Sequence, residues 1–518
     1  MNVKKLLLLF ALCSLAFYVR FGAADHFNPI HLDEYDHLAI ASEIESTQNY
    51  IFYNPLVKSH PKQALNWAVF ESSFSTLLSS LLILLPISLI GLSMPFSIFT
   101  AVLASLAALL LARQIFKSTL AHFVIAASVF FIQTNLIPSG LMFAIPTQLA
   151  SALLLMLAFL FVKATASRKY SIIFLAVLVN CLFVHPTFFL FALSTFALAS
   201  LMRPNWLLKN FRIVVFAVLL VVVGVIVIEL IPSLGLQNVL FWKPLSGWAY
   251  DFVGWLSVPG TILAIVGTAV VCRMLVRDHS SKQKTTAAVI VSAILIGLVT
   301  AAYYSFTGGC LLGPCPRTTG AFLLFAFVLA GVGSYSILHI FIKRLARAPK
   351  FKAPIIVLAA LVLAFMIVPA LNYSSLKLSP SFSGAYIGLS KADVRAGEWI
   401  GLNASRGEVV LAFPWVGKGI FVVSGINVTP TTSARLGKMN VLTVRKHDKA
   451  NNLLTFFEQS CSTKEEVINE FEVNWIYHSE TFDLIENQYN QLPDFYCKGL
   501  NKVFQGSFEN DSIYRWNG

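Results

Sequence analysis

The chain has 518 residues, 57% of them hydrophobic and 12% charged, with a mean hydropathy of +0.73. A soluble domain carries about 25% charged residues, so composition excludes one and points to a polytopic membrane protein whose apolar runs of about 20 residues are spans. The net charge of +13 does not mark a nucleic-acid binder, because most basic residues before position 370 sit in short loops between apolar runs.

The first apolar run extends from Lys5 to Phe21. Ala23-Ala24 would suit signal-peptide cleavage, but Arg20 interrupts the approach and further apolar runs follow. The run therefore reads as an uncleaved span, with Lys4 and Lys5 holding the N-terminus in the cytoplasm.

A polar stretch follows, and it opens with His31-Leu-Asp-Glu-Tyr-Asp-His37. Three carboxylates and two imidazoles fall within seven residues, in a membrane half otherwise poor in acids. On a helix, Asp33, Asp36 and His37 share one face at i, i+3 and i+4. Glu34 lies about 100° round from Asp33, within reach of the same pocket rim. The bland alternative is an acidic, solvated helix start. Lys58, His60, Pro61 and Lys62 close this loop.

Further apolar runs cover 66–92, 94–114, 119–136, 145–164, 170–185, 187–202, 211–231, 253–275, 286–306, 318–342 and 353–371. Five of the connections between them are basic: Arg113 and Lys117; Lys163, Arg168 and Lys169; Arg203, Lys209 and Arg212; Arg273, Arg277, Lys282 and Lys284; Lys343, Arg344, Arg347, Lys350 and Lys352. The alternate connections, near 134–147, 185–187, 232–252 and 305–317, hold only Lys243 and Arg317. Positive loops stay in the cytoplasm, so this asymmetry sets the orientation and gives about eleven crossings. The 66–92 run must then enter and leave on the outer side, as an interfacial or re-entrant helix pair broken near Pro86 and Gly91. The expected architecture is an all-α polytopic membrane domain over 1–373, with its first outer loop at 23–93. The protein is expected to be a multi-pass integral protein of the plasma membrane.

Residues 374–518 change character and read as a C-terminal extracytoplasmic α/β domain. Helices are expected at 396–403 and 464–471, and strands at 409–413, 473–478 and 512–516. All four N-x-S/T acceptors lie in this portion or at its edge, Asn372 just before it and Asn403, Asn427 and Asn510 within it. Cys310 and Cys315 share one outer loop, and Cys461 and Cys497 share the outer domain, so two disulfides are expected outside the cytosol.

The layout resembles the GT-C superfamily of membrane glycosyltransferases. Asp33-Glu34-Tyr35-Asp36-His37 is similar both to the Asp-Glu of protein O-mannosyltransferases and aminoarabinose transferases and to the D-x-Y-x-H of oligosaccharyltransferases. Val184-His185-Pro186-Thr187 resembles archaeal members. In the outer domain the similar segments are Gly397-Glu-Trp-Ile400, Gly407-Glu-Val-Val-Leu411, Ser462-Thr-Lys-Glu-Glu466, Val473-Asn-Trp-Ile-Tyr477 and Ile513-Tyr-Arg515.

The resemblance implies transfer of a sugar from a polyprenyl-phosphate donor to a glycan, lipid or protein acceptor at the outer membrane face, among membrane lipids and without nucleic acid. Asp33 matches the first acid of the motif and is the candidate base for the acceptor hydroxyl, while Glu34 matches the second and orients or assists. The departing lipid phosphate needs a cation or metal, and Arg317 is placed for it. Asp36, His37, His60 and His185 are the remaining substrate-binding candidates. Glu229 and Asp251, near the outer boundary, either line the cavity or reach headgroup water. Oligosaccharyltransferases place further metal-binding carboxylates in the second outer loop, but here Thr134 to Thr147 contains no acid, and Thr147 and Gln148 stand where one is expected. The expectation is therefore a transferase without a cofactor, a divalent metal being the less favoured alternative. An oligosaccharyltransferase-like enzyme and a non-enzymatic lipid or glycan transporter remain the competing functions.

Overall fold

The structure is a computed structural model that describes residues 10–16, 32–47, 72–85, 88, 90–131, 145–202, 241–242, 252–277, 279–345, 389, 391–405, 407–412, 414–429, 456, 460–479, 497, 499–505 and 512–516. The apolar runs expected at 211–231 and 353–371, the residues His31, His60, Glu229 and Asp251, and the acceptors Asn372 and Asn510 lie outside the described residues. Two compact units divide the chain. One takes in Met1–Asp25, Phe96–Met142 and Pro146–Lys377, and the other His26–Pro95, Phe143–Ile145 and Leu378–Gly518.

The elements run in order as α1 (Leu32–Thr47), α2 (Ser72–Leu84), α3 (Ser93–Ile115), α4 (Thr119–Ser128), α5 (Pro146–Ala164), α6 (Arg168–Val184), α7 (Pro186–Leu201), β1 (Phe241–Trp242), α8 (Phe252–Val276), α9 (Ser281–Thr307), β2 (Cys310–Leu311) and α10 (Cys315–Leu345). Then come α11 (Lys391–Asn403), β3 (Val409–Ala412), α12 (Pro414–Ser424), β4 (Asn427–Val428), α13 (Cys461–Glu470), β5 (Val473–His478), β6 (Leu500–Gln505) and β7 (Ser512–Trp516). A 3-10 turn, Ile90–Leu92, leads into α3. Helix α2 ends at Leu84, two residues before Pro86, and the 3-10 turn begins at Ile90; the residues of the 66–92 run at 66–71, 86–87 and 89 lie outside the described residues.

Among the described residues, five helices are long and apolar enough to cross a membrane: Ile90–Ile115, Pro146–Ala164, Val258–Val276, Ser281–Thr307 and Arg317–Lys343. Helix α9 starts five residues before its apolar run. Its polar first turn is held by a capping box in which Ser280 Oγ accepts from Gln283 N–H and Gln283 Oε1 accepts from Ser280 N–H. Gly308, in the left-handed region at φ 67°, closes the same helix.

Helix α10 is the axis of the first unit. Some 83% of its most apolar stretch is buried inside the protein, against 22% for that of α8. Glycines let neighbours close on α10. A Cβ on Gly333 would lie 2.0 Å from the Leu263 carbonyl oxygen of α8, and one on Gly267 2.0 Å from that of Leu329. Only hydrogen fits at either crossing point, the small-residue device by which membrane helices approach. Gly331 meets Ser128 and Ile125 of α4 in the same way.

In the second unit, five strands form a sheet in the order β4-β3-β5-β7-β6. β3 runs parallel to β4 and β5, and β7 runs antiparallel to β5 and β6. Parallel neighbours need a crossover, and α12 supplies it between β3 and β4. One face carries Val410, Ala412, Trp475, Tyr477 and Ile513, packed with Tyr35, Leu38 and Ala39 of α1 and with Val416 and Ile420 of α12. Leu411, Ile476 and Val473 pack on another core with Phe456, Val467 and Ile468. The two-residue alternation slips at Asn474, where Val409 pairs with Val473 but Val410 pairs with Trp475. There the Asn474 side chain accepts the Val409 N–H at 2.9 Å, satisfying a group the irregular ladder leaves over.

Four of the segments singled out in the outer portion, those with Trp399, Glu408, Trp475 and Arg515, hold one another. Trp475 Nε1–H donates to Glu408 at 3.0 Å, Trp399 packs edge-on against Trp475, and the Arg515 guanidinium lies 4.9 Å over the Trp475 ring. Burial pushes the Glu408 carboxyl up, but the N–H groups of Trp475 and Ser405, with Arg515, outweigh it and hold Glu408 below the usual carboxylate range.

Both expected disulfides are present. Cys310 bonds Cys315 with a Cα–Cα distance of 5.1 Å, and Cys461 bonds Cys497 at 5.4 Å. Strands β5 and β7 coincide with the expected ones, while β3, α11 and α13 differ at their ends. α12, β4 and β6 were not anticipated. The helix α12 sequence PWVGKGIFVVS holds β-branched residues and two glycines, weak helix formers. Pro414 opens it favourably, and burial of Val416 and Ile420 against the sheet overrides propensity.

Candidate functional site

In the second unit, Asp33 and Glu34 occupy the first turn of α1, where the helix dipole favours negative charge. The side chains of Asp33 and Asp36 lie outside the described residues. Glu34 is completely buried and accepts a hydrogen bond from Ser93 Oγ, on the first residue of α3. The N-terminus of α3 and the Ser93 hydroxyl therefore both compensate this carboxylate. Next to it, the Tyr35 hydroxyl accepts the Leu389 N–H at 3.1 Å. Burial pushes the Tyr35 phenol up, the Leu389 hydrogen bond pulls it down, and the charges of Glu34 and Asp393 raise it further, so it remains neutral. His37 is also fully buried and sets its ring edge-on against Phe74 of α2, with centroids 4.8 Å apart. Glu34, Tyr35 and His37 thus tie α1 to the first residue of α3, to the segment before α11, and to α2.

Asp393, in the first turn of α11, is buried as well. It accepts hydrogen bonds from Tyr477 at 2.7 Å and from Ser479. This carboxylate holds α11 on the sheet beside the Leu389 contact.

The first unit contributes a separate cluster. Arg317 stands in the first turn of α10, and its Nη1 donates to Thr147 Oγ1 at 2.7 Å. Thr147 is the second residue of α5 and is buried. The adjacent Gln148 accepts from Thr100 of α3 at 3.1 Å. His185 caps α7, where Pro186 occupies the first helical position, and its ring packs edge-on against Phe188 at 5.3 Å. Thr187, the next residue, touches the 310–315 loop: a Cβ on Gly313 would lie 2.5 Å from Thr187 Oγ1.

The N-termini of α5, α7 and α10 are thus brought together. Each helix N-terminus carries about half a positive charge, and Arg317 adds a full one. Such a corner is suited to a phosphate. Ser93, Thr147 and Thr187 had no assigned role in the sequence reading. Pro146-Thr147 and Pro186-Thr187 open two helices with the same dipeptide, and that repeat is the signal that marks the two threonines; Ser93 carries no such mark.

Contacts also group the connections. Those near 134–147, 185–187, 232–252 and 305–317 meet through Arg317–Thr147, Gly313–Thr187 and the antiparallel pairing of β1 with β2. Gln283 Nε2 donates to the Ile115 carbonyl at 2.9 Å, joining two of the basic connections to each other. Among the described residues, no three His, Cys, Asp or Glu side chains come together as a metal cage.

No family model matches the chain, and no curated protein matches it in sequence. Solved structures do share its fold. The archaeal oligosaccharyltransferase AglB from Archaeoglobus fulgidus, in complex with an inhibitory peptide and a dolichol-phosphate, superposes with a TM-score of 0.56 at 13% identity, over 92% of this chain and 70% of that one. The apo form of that oligosaccharyltransferase gives 0.59 at 12% identity, over 91% and 69%. ArnT from Cupriavidus metallidurans bound to undecaprenyl phosphate gives 0.55 at 10% identity, over 99% and 98%. These are GT-C membrane glycosyltransferases, and the chain has the GT-C fold.

Proposed function

We propose that the protein is a glycosyltransferase that moves a sugar from a polyprenyl-phosphate donor to an acceptor hydroxyl at the outer membrane face, with inversion and without metal. The observation that carries this reading is Arg317, in the first turn of α10, bonded to Thr147 at the N-terminus of α5, with the loop just before α10 seated on the N-terminus of α7, a combination of cation and helix N-termini that suits an anionic lipid phosphate. The GT-C fold supports it, as does the near-complete mutual coverage with ArnT bound to undecaprenyl phosphate.

In this mechanism Asp33 takes the proton of the acceptor hydroxyl as its oxygen attacks the anomeric carbon. The bond from that carbon to the phosphate oxygen breaks, and the lipid phosphate leaves with its electron pair. Arg317 meets the charge that develops on the phosphate. A single displacement inverts the anomeric carbon. Glu34, held by Ser93, keeps the first turn of α1 in place. The metal-free reading rests on the acid-free stretch from Thr134 to Thr147 and on the neutral Thr147 and Gln148 beside Arg317.

The test is transfer from a synthetic polyprenyl-phosphate sugar by the purified full chain in detergent, with and without chelator. Transfer that survives chelation is expected. Activity lost with chelator would favour the metal-dependent reading, which the likeness to the archaeal oligosaccharyltransferase structures motivates. Lipid movement without any transfer would replace the enzyme with a transporter.

The orientation belongs to the same proposal: about eleven crossings, N-terminus in the cytoplasm, residues 374–518 outside. The grouping of the 134–147, 185–187, 232–252 and 305–317 connections supports it. Cysteines introduced at Ser167 and Ser381 should label from opposite sides of sealed vesicles. Labelling of both from one side would refute this topology.

A further inference from the structure

The Cys310–Cys315 loop sits immediately before Arg317, and three sets of contacts fix it. The disulfide closes it onto the first residue of α10, and both cysteines are fully buried. Leu311 and Cys310 pair with Phe241 and Trp242 across β1 and β2. Gly313, at φ 112°, presses its Cα face onto Thr187 in the first turn of α7, with no room for a methyl group. Leu312 before it is also in the left-handed region, at φ 66°, a conformation that a non-glycine residue holds only when its surroundings impose it. From the end of this loop, the Pro314 carbonyl accepts the N–H groups of Arg317 at 2.9 Å and Thr318 at 3.2 Å. The first turn of α10 is therefore continuous with the braced loop.

We infer that the Cys310–Cys315 disulfide, with Gly313 seated on Thr187, is a positioning device that holds the Arg317 guanidinium at Thr147 and so sets the affinity for the donor phosphate. This rests on the reading of Arg317 as the phosphate contact. A first helical turn frays readily, because its N–H groups have no partner within the helix. A free arginine side chain carries substantial rotamer entropy, which fixing it must overcome. The disulfide removes the fraying of the turn, and the Thr147 hydrogen bond fixes the fork. Cys310, Cys315, Gly313 and Thr187 act through Arg317 and need no contact with substrate.

The experiment is a mutant cycle on the full chain in detergent, with donor KM, acceptor KM and kcat read for each variant. Arg317→Ala is expected to raise donor KM. The Cys310→Ser/Cys315→Ser pair should raise donor KM about tenfold with acceptor KM unchanged. Combining it with Arg317→Ala should add no further increase, because both act at one contact. A purely structural role would instead multiply the two effects. A parent-like donor KM in the Cys pair, or full multiplication in the combined variant, overturns the inference while leaving Arg317 as the phosphate contact. A parent-like donor KM in Arg317→Ala removes both. If the Cys pair does not fold, Gly313→Ala lifts the loop from Thr187 with the disulfide intact and enters the same cycle with the same expected outcomes.

Discussion

Replacing Asp33 with asparagine is expected to lower turnover by about 10²-fold or more while leaving donor binding close to that of the parent. The substitution keeps the shape of the side chain and the helix start but removes its basicity. The lost charge–dipole interaction in the first turn is worth at most about 1 kcal/mol, so α1 should still form. Its contacts through Tyr35, Leu38 and Ala39 do not involve the altered group. Glu34→Gln is expected to cost less, because the buried Glu34 is already engaged by Ser93 and acts on position rather than on the proton. The check is kcat and donor affinity for both variants, with folding confirmed by thermal denaturation. A folded Asp33→Asn enzyme turning over near the parental rate would end the assignment of Asp33 as base.

The largest expected effect on stability is at the crossing of α8 and α10. Gly333→Ala should destabilise by about 3 kcal/mol, the upper part of the range for overpacking. The added methyl would sit 2.0 Å from the Leu263 carbonyl oxygen, and that atom belongs to a helix backbone that cannot rotate aside. Gly267→Ala is expected to do the same through Leu329. Gly407→Ala is the matched control: a Cβ there meets nothing within 4 Å, so the change should stay within about 0.5 kcal/mol. Melting of the purified protein in detergent measures all three. Equal melting temperatures for Gly333→Ala and Gly407→Ala would show that the helices do not approach this closely in the membrane protein.

Local order was readable wherever the information is local. Hydropathy located α3, α5, α6, α7, α8, α9 and α10 to within about five residues, because each is apolar along nearly its whole length. Residue type located β5 and β7 residue for residue, because both segments are rich in β-branched and aromatic residues. The cysteine pairs were readable because each pair shares one loop or one domain. α12 escaped because its composition favours extended chain and only burial makes it a helix. β4, at two residues, is too short to show any period.

The candidate site divides along the same line. Residue types and chain order are enough to place an acidic helix start after a first span, an arginine at the head of another span, and basic connections alternating with neutral ones. They do not reveal that Glu34 is enclosed by Ser93, 59 residues away, that Tyr35 binds the backbone at Leu389, 354 residues away, or that Arg317 rests on Thr147, 170 residues away. Each of these contacts joins segments whose sequences do not depend on one another. They meet because α1 must bury Tyr35 and Leu38 against the sheet and because glycines in α10 let α8 and α4 close around it. Apolar periodicity marks which face of a segment is buried. Which partner covers that face follows from packing the whole chain, where the polar partners of Glu34, Tyr35 and Arg317 are set by the helices and strands that carry them.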